Sequence, residues 1–178
     1  MPSIPGEYNW LWKEPGPALL VAALKLYGTQ EAPGELDNPT ILDWAKEIGV
    51  GGIYKHDDMP WCGLFVGTAV HRAGLNGVNS PLWAKAWANW GMPVRQPMLG
   101  DIMVFERPGG GGHVGIYVGE DKEAFHSLGG NQRDSVNITR LLKGRLIAAR
   151  RTPWSVSQPN NIRRVFLAPN GQPSNNEA

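Results

Sequence analysis

The hydrophobic period of the chain changes once, near residue 99, and that change limits the fold more than any other feature of the 178 residues. Before it, apolar side chains recur at helical spacing. After it, they fall in short runs bounded by glycine, which is strand patterning. In Ala18–Tyr27 the residues Leu19, Leu20, Ala23, Leu24 and Tyr27 share one face, with Pro17 suited to the first helical position and Gly28 as the stop. A second helix is predicted from Pro39 to Ile48, with Ile41, Leu42, Trp44, Ala45 and Ile48 inward. A third runs from Trp61 to Ala73, where Gly63, Gly67 and Ala69 allow another element to approach closely. A fourth, Pro81–Trp90, would set Trp83, Trp87 and Trp90 on one face. Strands are predicted at 102–105, 113–118, 123–128, 136–138 and 146–151, with Pro108–Gly112 as a hairpin connection. Helices first and an antiparallel meander second make an α+β fold.

This pattern divides the chain into an irregular arm at 1–16, a domain at 17–154 and a polar tail at 155–178. Within the tail, Val165-Phe166-Leu167 is able to pack, and Asn170–Ala178 is expected to be mobile. A single cysteine excludes an internal disulfide, so the fold rests on its core. A net charge of +1 exerts no strong pull toward nucleic acid or an anionic membrane. The best apolar run, Ala18–Leu26, is too short to span a bilayer and contains Lys25. Met1–Glu7 lacks the basic region of a signal peptide. No metal site is expected, because there is no His-x-x-x-His and no cysteine pair. Gly109–Gly112 lacks the Lys-Ser/Thr of a phosphate loop and precedes a strand, and no cofactor is called for.

Chemistry centres on Cys62, which follows Pro60-Trp61 and opens the third helix. A thiol there faces unpaired N–H groups and the positive end of the helix dipole, and both favour the nucleophilic thiolate. Its bland alternative is a small buried hydrophobe. A thiol hydrolase also needs an imidazole and a group that orients it. His71 lies too far along the third helix, and His56 reads as a solvated loop residue. His113 opens a strand after a run of glycines; Gly112 and its neighbours would leave room for a substrate backbone. His126 lies mid-strand. For the orienting group, Asn131 follows the Gly129-Gly130 bend, with His126 as its rival and Asp101 and Glu106 less suited.

The ordered set Pro60-Trp61-Cys62-Gly63-Leu64-Phe65-Val66, Trp87-Ala88-Asn89-Trp90-Gly91, Gly100-Asp101-Ile102-Met103-Val104-Phe105, Gly112-His113-Val114-Gly115-Ile116-Tyr117-Val118-Gly119 and Leu128-Gly129-Gly130-Asn131-Gln132 resembles the CHAP and NlpC/P60 superfamily of cysteine peptidases and amidases, most closely a branch frequent in phage and prophage genomes. The resemblance covers about residues 17–151. It implies a papain-like fold, with N-terminal helices packed on an antiparallel sheet, and hydrolysis of amide bonds in bacterial peptidoglycan. By position, Cys62 is the nucleophile and His113 the base. Asn131 is preferred to His126 as the third member; Gly129 stands where a Glu is expected. Asp58 and Trp61 are expected to shape the entry groove. The implied roles are a phage lysin or virion-associated hydrolase, acting on the wall after phage release or delivery. A delivered antibacterial amidase, or a phage structural module that docks other virion proteins through the tail, are the alternatives.

Overall fold

The computed structural model describes residues 3–155, 157–174 and 177. A 3-10 helix (Gly6–Lys13) precedes α1 (Ala18–Leu24), α2 (Pro39–Glu47) and α3 (Cys62–Arg72), and a second 3-10 helix covers Ala84–Asn89. The strands are β1 (Met92–Val94), β2 (Ile102–Glu106), β3 (Gly112–Glu120), β4 (Ala124–Gly129), β5 (Asn137–Leu142) and β6 (Leu146–Arg151). They form one antiparallel sheet in the order β1-β6-β2-β3-β4-β5. The fold is therefore α+β, with helices packed on an antiparallel sheet as the sequence predicts.

The sheet departs from a simple meander in two ways. β6 returns to the far side of β2 instead of continuing past β5. β1 then pairs with β6 as a three-residue edge strand, Met92-Pro93-Val94. Proline cannot donate to a ladder and is confined to edges, so the sequence disguises this strand.

α3 organises the helical layer. Every residue from Cys62 to Val70 is buried, the pattern of a helix covered on all sides. It packs between α1 and α2 on one side and β3 and β4 on the other. Gly63 is required there, because a Cβ would lie 2.3 Å from the Pro81 carbonyl oxygen. Asn38 caps α2 by accepting the Thr40 N–H at 2.9 Å, with Pro39 in the first turn. α1 is shorter than its apolar face suggests, since Leu26 and Tyr27 donate to Ala23 and Leu24 in tightened i→i−3 bonds before Gly28 turns at φ 85°.

Sheet side chains alternate between two cores. Ile102, Val104, Val114, Ile116, Val118 and Leu128 join the helices, whereas Met103, Phe105, Tyr117, Phe125 and Leu141 form a smaller cluster. The predicted fourth helix is a six-residue 3-10 segment, and its tryptophans do not share a face. Trp87 and Trp90, three apart, are eclipsed at three residues per turn and both are buried, with ring centroids 6.3 Å apart. Trp83, four before Trp87, precedes the segment and is 75% exposed.

The polar tail, whose end from Asn170 was expected to be mobile, makes contacts with the sheet. Arg164 binds Glu120 through Nε and Nη2 at 2.8 and 2.9 Å, Lys143 adds a third contact at 2.7 Å, and Tyr117 donates to the same carboxylate. Ile162 is buried, and short bridges join Phe166 to Glu120 and Ser174 to Leu141. The part of that expectation that falls on 175, 176 and 178 lies outside the described residues. Among the described residues, no helix is long and apolar enough to cross a membrane.

Candidate active site

Cys62 is the first residue of α3, and Trp61 at the N-cap position supplies no side-chain cap. The first N–H groups of the helix are therefore left for other acceptors. The backbone N–H groups of Val114, Gly63 and Cys62 lie where they favour a negative charge on the Cys62 sulfur. Val114 is the neighbour of His113 on β3, so the helix start and the strand start meet at the thiol. The positive charge of Arg107 acts on both Cys62 and His113, which marks the shared surroundings.

His113 is oriented by Gln132. Its Nε2 lies 3.0 Å from Gln132 Oε1. The Gln132 amide nitrogen is committed to Ser127 O (3.2 Å), Asn137 O (2.8 Å) and Asn137 Oδ1 (3.0 Å). With its NH2 spent on these acceptors, Gln132 presents only its oxygen to the ring. His113 must then donate from Nε2, and Nδ1 is left as the basic nitrogen. Gly129 leaves space for this bond, since a Cβ there would lie 2.7 Å from Gln132 Oε1 and 3.2 Å from His113 Nε2. The glycine at a position where an acidic residue was expected thus has a steric reason.

The third member differs from the sequence reading. Asn131, the expected residue, sits in the left-handed region at φ 54°, the conformation for which Asn is a common turn residue. Among the described residues, the hydrogen bond to the His113 ring comes from the next residue, Gln132. His126 is fully buried elsewhere. Its Nδ1 lies 2.7 Å from the Tyr8 hydroxyl and its Nε2 2.9 Å from Asp121 Oδ2, which also binds Arg140 at 2.7 Å. Both ring nitrogens are engaged in tying the N-terminal arm to β4 and β5. The signal for Gln132 was present in the quoted motif, but choosing between adjacent polar residues of a bend requires its backbone angles.

Two substrate-contact expectations also change. Trp61 is 0% exposed, tilted against Trp44 at 6.2 Å, and its indole N–H donates to Glu31. It backs the site from the core and does not line an entry groove. Gly130 is held to glycine by that ring, because a Cβ would come within 2.7 Å of it. At Gly112 the space is filled by Lys85 and Ala84, which a Cβ would meet at 2.9 and 3.3 Å. Asp58 is exposed, as a surface contact residue would be. His56 is exposed and paired with Asp37, and His71 is exposed at the end of α3. Among the described residues, no His, Cys, Asp or Glu group is placed to hold a metal ion.

Burial sets the charge state of the pair. Cys62 is 4% exposed and His113 1% exposed. Burial pushes the thiol up and outweighs the three N–H groups that favour thiolate. Burial pushes His113 down to about 4, opposed by Glu177 and the Gln132 bond and assisted by Arg107 and Arg145. At neutral pH the resting pair is a neutral thiol and a neutral imidazole. Burial thus opposes the thiolate that the helix start favours.

A buried cysteine at a helix start and, on the strand whose Val114 reaches it, an imidazole with a fixed tautomer are the elements of a thiol-type site on an α+β scaffold. Residues 54–131 match the family model of the CHAP domain. CHAP domains are typically hydrolases that act on peptidoglycan. The matched span holds Cys62 and His113 and ends one residue before Gln132. No curated protein matches the chain.

Proposed function

We propose that the chain hydrolyses an amide bond of the peptidoglycan peptide through a Cys62 thioester, as an endopeptidase or an N-acetylmuramoyl-L-alanine amidase. The observation that carries this reading is the contact of His113 Nε2 with Gln132 Oε1, which fixes the tautomer and leaves Nδ1 as the basic nitrogen. Because both groups rest neutral, His113 Nδ1 takes the Sγ proton as the sulfur attacks the carbonyl carbon. The oxyanion forms at the start of α3, where backbone N–H groups favour negative charge. The C–N bond then breaks, and His113 gives its proton to the leaving amine. Water, deprotonated by His113, attacks the thioester and releases a carboxylate and the free thiol. Gln132 positions the ring throughout. The place of action in this reading is the bacterial wall, reached after phage release or by delivery.

The experiment is mass spectrometry of fragments released from purified peptidoglycan. New L-alanine N-termini, with intact stems, identify an amidase; shortened stems identify an endopeptidase. No released fragment from walls of several peptide types would overturn the proposal.

A further inference from the structure

Within electrostatic reach of His113 lies a buried carboxylate that the mechanism does not use. Glu177 is 1% exposed. Arg145 faces it with its whole guanidinium edge, Nη1 2.7 Å from Oε1 and Nη2 2.8 Å from Oε2. Arg107 Nε lies 4.0 Å from Oε2. Arg145 is itself held in place, donating from Nε to the Glu106 carbonyl at 2.9 Å and from Nη1 to the Ser174 carbonyl at 2.9 Å. A forked guanidinium fixed in this way is a pre-organised carboxylate receptor. We propose that Arg145 and Arg107 form a substrate subsite for a carboxylate borne on a residue that borders the scissile amide, and that Glu177 of the chain occupies it in this structure. This rests on the hydrolase reading above and names the substrate feature that the site selects.

Charge links the subsite to the chemistry. Arg107 and Arg145 disfavour protonation of His113, whereas the Glu177 carboxylate favours it. An empty subsite would leave two cations beside the base and weaken it. A carboxylate on the incoming peptide replaces the charge of Glu177, restores the basicity of His113 and displaces the buried side chain. In a peptidoglycan stem, the α-carboxylate of a γ-linked D-glutamate next to L-alanine is a group of this kind; its carboxamide has the same shape without the charge.

The test uses two synthetic peptides, L-Ala-γ-D-Glu-L-Lys-amide with the D-Glu α-carboxylate free or converted to carboxamide. Binding is measured by calorimetry on the full chain carrying Cys62→Ala. With Glu177→Ala added, the carboxylate peptide should bind about tenfold tighter than the carboxamide, a difference typical of one charge-assisted contact. With Glu177 retained, its binding should weaken through competition, while that of the carboxamide changes less. Arg145→Met should remove the preference. Arg145→Lys, which keeps the charge but not the fork, should reduce it, and it serves if the methionine variant does not fold. Equal binding of the two peptides with Glu177→Ala, or no binding of either, overturns the subsite. Selective binding without cleavage by the Cys62-containing chain would sink the hydrolase reading alone. Cleavage without selectivity would sink the subsite alone.

Discussion

At the scale of single residues, the proposed chemistry turns on which polar group holds the His113 ring. Replacing Gln132 with Leu should lower kcat on peptidoglycan at least tenfold, with a smaller change in KM, because the ring loses its tautomer and not its substrate. Asn131→Gly should leave kcat near its starting value, since Asn131 serves the turn and glycine adopts its φ of 54° without strain. A loss of rate at Asn131 but not at Gln132 would reverse the assignment. The charge state of His113 makes a separate claim. Its proton affinity falls to about 4 in the fold, against about 6.5 in the unfolded chain. Between those values the unfolded chain binds a proton that the native chain does not. Stability is therefore full above about pH 6.5 and declines as pH falls toward 4, by about 3 kcal/mol. Urea unfolding at pH 7 and pH 4.5 reads this decline, which His113→Gln should reduce. Cys62 and His113 were legible in the sequence because a lone cysteine before a helix and a histidine after glycines are local patterns. The neutral resting state was not, because burial is a property of the packed whole.

At the scale of elements, the start of α3 is fixed by what passes over it. A methyl group at Gly63 would meet the Pro81 carbonyl at 2.3 Å and the Leu82 backbone at 2.8 Å. Gly63→Ala should cost about 1–3 kcal/mol by overpacking against backbone that cannot rotate away. It should also reduce activity, because the displaced helix start carries the thiol. Chemical denaturation together with a fragment-release assay checks both. The three main helices and five of the six strands followed from hydrophobic period. The Trp-rich segment did not, since spacings of four and three fit an α-helix and only the three-residue spacing survives in a 3-10 turn. β1 was hidden by Pro93, and the position of β6 beside β2 depends on a long-range pairing with no local signature.

At the scale of the whole molecule, buried polar networks tie both ends of the chain to the sheet. Asp121 accepts from Arg140 at 2.7 Å and sits 2.9 Å from His126, whose other nitrogen meets Tyr8 of the N-terminal arm. Asp121→Ala leaves the buried Arg140 without this partner and should cost about 3–5 kcal/mol, read as a lowered denaturation midpoint. The composition of residues 155–178 suggested a loose tail, because polar residues carry no periodic signal. Their partners, Glu120, Arg140 and Arg145, lie far away in sequence. The central claim remains that Cys62 performs amide hydrolysis, and one comparison tests it most directly. Purified peptidoglycan is incubated with the chain and with Cys62→Ala, after both are shown to have the same thermal midpoint within a few degrees. The account predicts soluble peptide fragments from the first and none above background from the second. Equal release by Cys62→Ala would contradict it.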